Sequence, residues 1–347
     1  MQTDHIEQYV AEDSRYSGGM EYRRCGRSGI MLPAVSLGFW HNFGEDKSFE
    51  NSRAVTHYAF DHGITHFDLA NNYGPPYGAA ELTMGKLMYK DFSPYRDELF
   101  ISTKAGYDMW PGPYGDHGSR KYLMASLDQS LKRMHLEYVD LFYSHRYDPD
   151  TPIEETLQAL VDIVRAGKAL YVGISRWPEE ATVTAVKYLS DRDVPLLIYQ
   201  GRLNIFDRHP EKSGILDTVI QGGAGFIGFS PLAQGLLTGR YLHGIPTDSR
   251  MAREKFLKSS FLTEELLGQI RDLDGMAHER GQSLARMALS WLLSRKGVTS
   301  VIVGASSTTQ LEDNLKCLQD TTFTTEELER IDAIAGRHPL PPQLITL

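Results

Sequence analysis

A closed (β/α)8 barrel of the TIM type is the fold this sequence predicts, on three observations. Eight short apolar runs recur along the chain in alternation with stretches of helical period. The runs are nearly continuous in Val, Ile, Leu and Phe, the composition of parallel strands covered on both faces. No linker or low-complexity segment divides the 347 residues, so residues 1–347 are expected to form one domain. An open doubly wound sheet is the alternative arrangement of the same units.

Taken in order, residues 1–20 are an acidic, polar extension. "MEYRRCGRSGIMLP" reads as a hairpin over 21–33, turning at Gly26 to Gly29 and plugging one barrel end. The strands are expected in "AVSLG", "ITHFDLA", "LFISTKA", "YVDLFYSH", "ALYVGIS", "PLLIYQ", "FIGFSP" and "SVIVGA". Helices are expected between them, in segments such as "SRAVTHYAF", "YLMASLDQSLKRM", "IEETLQALVDIVRAG", "PEEATVTAVKYLS" and "SLARMALSWLLSR". Gly63, Gly167, Gly225 and Gly297 precede strands, where a left-handed residue would close the previous helix. The segment from Leu232 to about Lys258 reads as a loop beside the site. Barrel and terminal helices span about 34–335, and 336–347 form a tail.

Hydrophobic residues make up 41% of the chain, enough for a large core. A net charge of −9 without a basic run argues against nucleic acid as a partner. The N-terminus lacks the basic and apolar regions of a signal peptide, and no apolar stretch is long enough to cross a bilayer. Cys25 and Cys317, the two cysteines, match no zinc or redox spacing. A cytoplasmic protein without a membrane partner is the expectation, with homo-oligomerisation left open.

A parallel barrel carries its active site at the C-terminal ends of its strands. Asp68 and Tyr73 follow the second strand, Lys104 ends the third and His145 ends the fourth. Four titratable residues from three successive strands therefore converge on one rim. A lysine inside an apolar strand is costly without a partner, and Asp68 on the neighbouring strand suits it. The plain structural alternative is a buried Asp–Lys pair with an incidental Tyr and His.

"HFDLANNYG", "ISTKAG" and "FYSHR" resemble signature segments of the aldo-keto reductases, barrel oxidoreductases that use NADPH without a Rossmann domain. The resemblance runs from "SLGFWHNFG" to "VGASSTTQLEDNL". "STKAGYDMWPGPYG", "GSRKYL" and "PLAQGLLTGRYL" look like segments of a bacterial subgroup acting on L-glyceraldehyde 3-phosphate. Potassium-channel β-subunits are more distantly similar. The resemblance implies reduction of small aldehydes, L-glyceraldehyde 3-phosphate or methylglyoxal among them, with NADP(H) as cofactor. Tyr73 would be the general acid, and Lys104, held by Asp68, would lower its pKa. His145 would orient the carbonyl oxygen. The same resemblance assigns Ser175 and Gln200 to the nicotinamide carboxamide and Phe229 to stacking on its ring. Ser230, Leu232, Gln234, Arg240 and Arg250 follow along the pyrophosphate path. Ser306, Gln310, Asp313 and Asn314 align with contacts to the adenosine and its 2′-phosphate, at a helix N-terminus suited to an anion. Trp40, Arg176 and Gly304 complete the cofactor set, although many family members carry asparagine where Arg176 stands. His41, Trp110 and Arg120 are the candidate substrate contacts. A regulatory, cofactor-binding subunit is the competing function; channel subunits carry asparagine at the position of His145. A barrel isomerase or lyase with its own phosphate site is a third.

A phosphorylated substrate has a further argument from charge. Ser119 is a plausible N-cap, which puts Arg120 and Lys121 in a first helical turn, where the helix dipole disfavours cations. A bound anion would relieve that conflict; side chains turned to solvent would also do so. "GAGFIG", Gly223 to Gly228, matches a dinucleotide fingerprint formally but precedes a strand, so it reads as a turn. His62 and His66 have ligand-like spacing without a completing carboxylate, and no metal site is expected. "GRSG" and "GPYGDHG" are turn chemistry.

Overall fold

The structure is a computed structural model that describes residues 9–242, 244–247, 251–252 and 259–338. An antiparallel hairpin, β1 (Tyr22–Arg24) and β2 (Met31–Pro33), precedes the barrel. The barrel strands are β3 (Val35–Gly38), β4 (His66–Asp68), β5 (Phe100–Ala105), β6 (Val139–Ser144), β7 (Ala169–Ser175), β8 (Ile198–Arg202), β9 (Gly225–Phe229) and β10 (Val298–Val303). All eight pair in parallel in chain order, and β10 closes on β3. The closed barrel, not the open sheet, is therefore the architecture.

The helices are α1 (Phe49–Asp61), α2 (Ala79–Leu87), α3 (Arg120–Met134), α4 (Ile153–Arg165), α5 (Glu179–Ser190), α6 (His209–Lys212), α7 (Ile215–Gly222), α8 (Glu264–Glu279), α9 (Leu284–Ser294), α10 (Thr308–Leu315) and α11 (Thr325–Ala335). Their starts are written locally. Ser48, Ser119, Thr263, Ser283, Ser307 and Thr324 each accept a backbone N–H of the first turn. α4 buries Leu157, Leu160, Val161 and Ile163, a helical stripe facing the strands.

The strand period of two sorts side chains between two cores. On β6, Leu141 and Tyr143 point into the barrel with Cys25, Leu32, Leu197, Ile198, Ile227 and Ile302. Phe142 points outward into the larger core beneath the helices. Gly173 on β7 makes room for the Tyr143 ring, which lies 2.5 Å from where a Cβ would stand. The hairpin seals the N-terminal end: Cys25 Sγ–H reaches the Leu197 carbonyl at 3.3 Å, and Arg27 N–H donates to Gly223 O at 2.8 Å.

Gly63, Gly167 and Gly297 take left-handed backbone angles as expected, but Gly225 does not. Gly223 closes α7 instead, with φ 80°, and Gly225 is the first residue of β9. The turn falls two residues earlier because residue 225 must already pair with Ile198. Within Leu232–Lys258, the described part contains a 3₁₀ turn at Ala233–Thr238. Arg250 lies outside the described residues. Among the described residues, no helix is long and apolar enough to cross a membrane.

Candidate active site

Parity and strand ends place the catalytic candidates. Asp68 ends β4 and Lys104 lies one residue before the end of β5, both on the inward face; both are buried. Lys104 Nζ donates to Asp68 Oδ2 at 2.7 Å and also to the Leu69 carbonyl. Asp68 Oδ1 accepts from Ser102 Oγ at 2.8 Å and from Gln200 Nε2 at 3.0 Å. The carboxylate is thus fully engaged inside the barrel, as a buried charge must be.

Tyr73 lies above this pair, its ring centroid 5.0 Å from Lys104 Nζ. The His145 ring stands edge-on to it at 5.9 Å. Burial, followed by the charge of Asp68 and by Tyr107, pushes the Tyr73 phenol well above its ordinary pKa, against a smaller opposing effect of Arg176. The expected lowering by Lys104 is therefore not met. The physical reason is that Asp68 neutralises the ammonium at 2.7 Å, while a buried tyrosinate loses its hydration. Burial also lowers the Lys104 pKa, against the pull of Asp68. Burial, then Lys104, Arg176 and Arg146, hold His145 well below the ordinary imidazole range. His145 is consequently neutral and suited to donating a hydrogen bond rather than a proton.

Tyr107 is a site residue that the sequence reading missed. Its ring packs edge-on against His145 at 4.8 Å, and its hydroxyl accepts from Arg176 Nη1 at 3.0 Å. The Arg146 guanidinium lies 4.6 Å from the same ring centroid. The signal was available, because Tyr107 follows Lys104 out of the C-terminal end of a strand.

The rim beyond β7 and β9 is unusual backbone. Arg176, Ser230, Ala233 and Gln234 all have positive φ, at 58°, 52°, 46° and 59°. Such strain in non-glycine residues clusters where a loop serves a ligand. Arg202, Asn204, Ser230, Ala233 and Gln234 line a crevice there, and Gln234 Oε1 is buried without a hydrogen-bond partner. Ser175 ends β7 in register with Gln200, which lies two residues before the end of β8 rather than at its end, and Phe229 ends β9 opposite Arg202. Leu232 immediately precedes the 3₁₀ turn and Arg240 lies exposed just beyond it. The Trp40 and His41 rings pack with centroids 3.9 Å apart and planes tilted by 42° on the loop after β3, and Gly304 is close to Asn42 of that loop. Ser307, not Ser306, caps α10; Gln310 Oε1 instead accepts from both Ser306 N and Ser306 Oγ.

Comparison with known proteins agrees with this geometry. The model of the Aldo/keto reductase family matches residues 34–335. The chain belongs to that family. It is 60% identical over 328 residues to the L-glyceraldehyde 3-phosphate reductase of Escherichia coli O157:H7, covering 93% of this chain and 94% of the relative. The corresponding reductase of Escherichia coli strain K12 is 59% identical over the same shares. A probable voltage-gated potassium channel subunit beta of Oryza sativa subsp. japonica is 36% identical, covering 92% of this chain and 98% of that protein. The protein is thus an oxidoreductase acting on carbonyl compounds with a nicotinamide nucleotide, as aldo/keto reductases generally are.

Two residues read as ligand contacts already have partners within the chain. Asp313 forms an ion pair with Arg286, whose Nε donates to Oδ1 at 2.9 Å. Asn314 is buried with its Nδ2 unpartnered. Arg120 pairs with Asp162 of α4, and its backbone N–H donates to Glu155 Oε1 at 3.0 Å. Two carboxylates of α4 thus already face Arg120 at the first turn of α3, which weakens the electrostatic case for an external anion there. Trp110 packs at 5.1 Å against Tyr122 of α3. Arg120→Ala is accordingly expected to leave the ratio of kcat/KM for a phosphorylated and an uncharged short aldehyde within about fivefold of wild type, since exposed ion pairs contribute at most ~1 kcal/mol. A selective loss on the phosphorylated aldehyde would restore Arg120 as its contact.

Proposed function

We propose that this protein reduces small aldehydes to alcohols with NADPH, that L-glyceraldehyde 3-phosphate is among its substrates, and that Tyr73 is the general acid. The observation that carries the reading is the Asp68–Lys104 pair buried beneath Tyr73 and flanked by neutral His145. The printed name of the relatives at about 60% identity supports the substrate.

The chain's residues divide the work. His145 would donate a hydrogen bond to the carbonyl oxygen and hold it beside the Tyr73 hydroxyl. Tyr73 is protonated at neutral pH and so has a proton to give as negative charge grows on that oxygen. Lys104, although balanced by Asp68, would keep its ammonium 5.0 Å from the ring centroid and offset part of the cost of the tyrosinate left after transfer. Asp68 keeps that ammonium in place.

Ser175, Phe229 and the strained loop at Ser230–Gln234 would hold the nicotinamide and pyrophosphate, with Trp40, Gln200 and Arg176 alongside. The fit is supported by the unpartnered, buried Gln234 Oε1 and by the positive φ of Ser230, Ala233 and Gln234, strain of the kind found where a loop serves a ligand. When bound, the dihydronicotinamide supplies the hydride to the carbonyl carbon. Ser306 and Gln310 would contact the 2′-phosphate at the start of α10, where free N–H groups favour an anion. NADPH is therefore expected to exceed NADH in kcat/KM by at least tenfold, and Gln310→Ala to narrow the gap. Initial rates on an aldehyde panel with both cofactors test this. Equal efficiency with the two would reject the 2′-phosphate assignment, and no turnover of any aldehyde would reject the reductase reading.

A further inference from the structure

A chain of polar side chains crosses the barrel interior below the tetrad. It links β10, β3, β4 and β5 through Ser300, Ser36, His66 and Ser102, all four buried. Ser300 Oγ lies 2.7 Å from Ser36 Oγ, and Ser36 Oγ lies 2.8 Å from His66 Nδ1. His66 Nε2 lies 3.0 Å from Ser102 Oγ, which donates to Asp68 Oδ1 at 2.8 Å. Interior positions of a barrel are ordinarily filled by branched apolar residues. A polar row there needs every member satisfied, and this one is.

The direction of each bond follows from its end. Asp68 is paired with Lys104 and can only accept, so the Ser102 hydroxyl proton points at it. The Ser102 oxygen must then accept from His66, which places the imidazole proton on Nε2. Nδ1 is left as an acceptor and takes the Ser36 proton, while Ser36 accepts from Ser300. The reverse arrangement, with Ser300 Oγ donating to the Ala34 carbonyl 3.3 Å away and Ser102 donating to Nε2, leaves Asp68 Oδ1 with Gln200 alone and is the costlier of the two. Burial, reinforced by Lys104 and opposed by Asp68, lowers the His66 pKa to about 4, so the ring is neutral at working pH. No mechanistic role has yet been needed for this histidine, although it lies two residues before the catalytic carboxylate.

We infer that His66 is a positioning residue for catalysis: its Nε2–H tautomer commits Ser102 to donate to Asp68, which in turn fixes Lys104 beneath Tyr73. The inference rests on the proposed roles of Tyr73 and Lys104. Removing the imidazole frees Ser102 to turn to the Phe67 carbonyl, 3.4 Å away, and Asp68 Oδ1 then keeps Gln200 alone. The groups facing the carboxylate are Lys104 and Ser102 from β5, Gln200 from β8, and Tyr73 and Tyr143, with Glu81 of α2 acting on Lys104 from outside. None of these replaces the lost donor.

The test compares His66→Leu with His66→Gln in NADPH-dependent aldehyde reduction. Leu is expected to lower kcat by about 10- to 100-fold, the range carried by a hydrogen bond to a charged group. KM for NADPH should stay within about threefold. Gln can donate to Ser102 and accept from Ser36, so it should recover most of the lost rate. A Leu variant with wild-type kcat, altered only in melting temperature, or a Gln variant that recovers stability but no rate, would reduce His66 to a filler and overturn the inference. If the Leu variant fails to fold, long-range ¹H–¹⁵N correlation on the histidine-labelled wild type decides, with Nε2–H expected and Nδ1–H contrary. That spectrum is independent of turnover, so a wild type inactive on every aldehyde would reject the reductase reading without touching the tautomer.

Discussion

Tyr73→Phe is expected to lower aldehyde reduction by about 10²- to 10⁴-fold, the usual contribution of a positioned general acid. The ring stays, so its packing on His145 and its position over Lys104 are retained and only the proton donor is lost. NADPH binding, followed by fluorescence quenching, should stay within a few-fold of wild type. The combination matters: a fall in kcat with unchanged cofactor affinity identifies a group used in the transition state. Rates near wild type in Tyr73→Phe would transfer the proton donation to another residue, with Tyr107 next to His145 the first to examine.

Asp68→Ala carries the largest expected effect on stability. It leaves Lys104, fully buried, with only the Leu69 carbonyl to receive its protons. Removing one partner of a buried ion pair typically costs ~3–5 kcal/mol. Urea unfolding of the two proteins measures this difference. The sign of its pH dependence follows from Lys104, whose pKa is lowered by burial even with Asp68 present. Without the carboxylate it falls further, so the unfolded state binds more protons than the native state up to the ordinary lysine pKa of about 10.4. The stability of Asp68→Ala should therefore rise with pH, and its deficit should be greater at pH 6 than at pH 9. Adding Lys104→Met should recover much of the stability while activity stays absent, because the uncompensated charge is then gone. A deficit below about 1 kcal/mol, or one that grows with pH, would show that the pair is not what holds this charge inside the barrel.

The sequence by itself determined the barrel and where its chemistry stands. Apolar runs alternating with helical periods decide strand from helix over short distances, and the strand period of two decides which side chains enter the barrel. His66 with Asp68, and Ser102 with Lys104, share the inward face on parity alone. The strand-end rule then brings Asp68, Tyr73, Lys104 and His145 to one rim before any contact is known. Partner choice was decided by tertiary structure. Gln200, read as a cofactor contact, has its amide on Asp68 across 132 residues of chain. Asp313, read as an adenosine contact, has Arg286 as its ion-pair partner. Arg120, read as a phosphate contact, pairs with Asp162 on the neighbouring helix. The Ser300–Ser36 link exists only because β10 closes on β3. A hydrogen bond or ion pair forms over about 3 Å, so its partner depends on inter-strand register and barrel closure, which bring distant segments together and which no local pattern encodes.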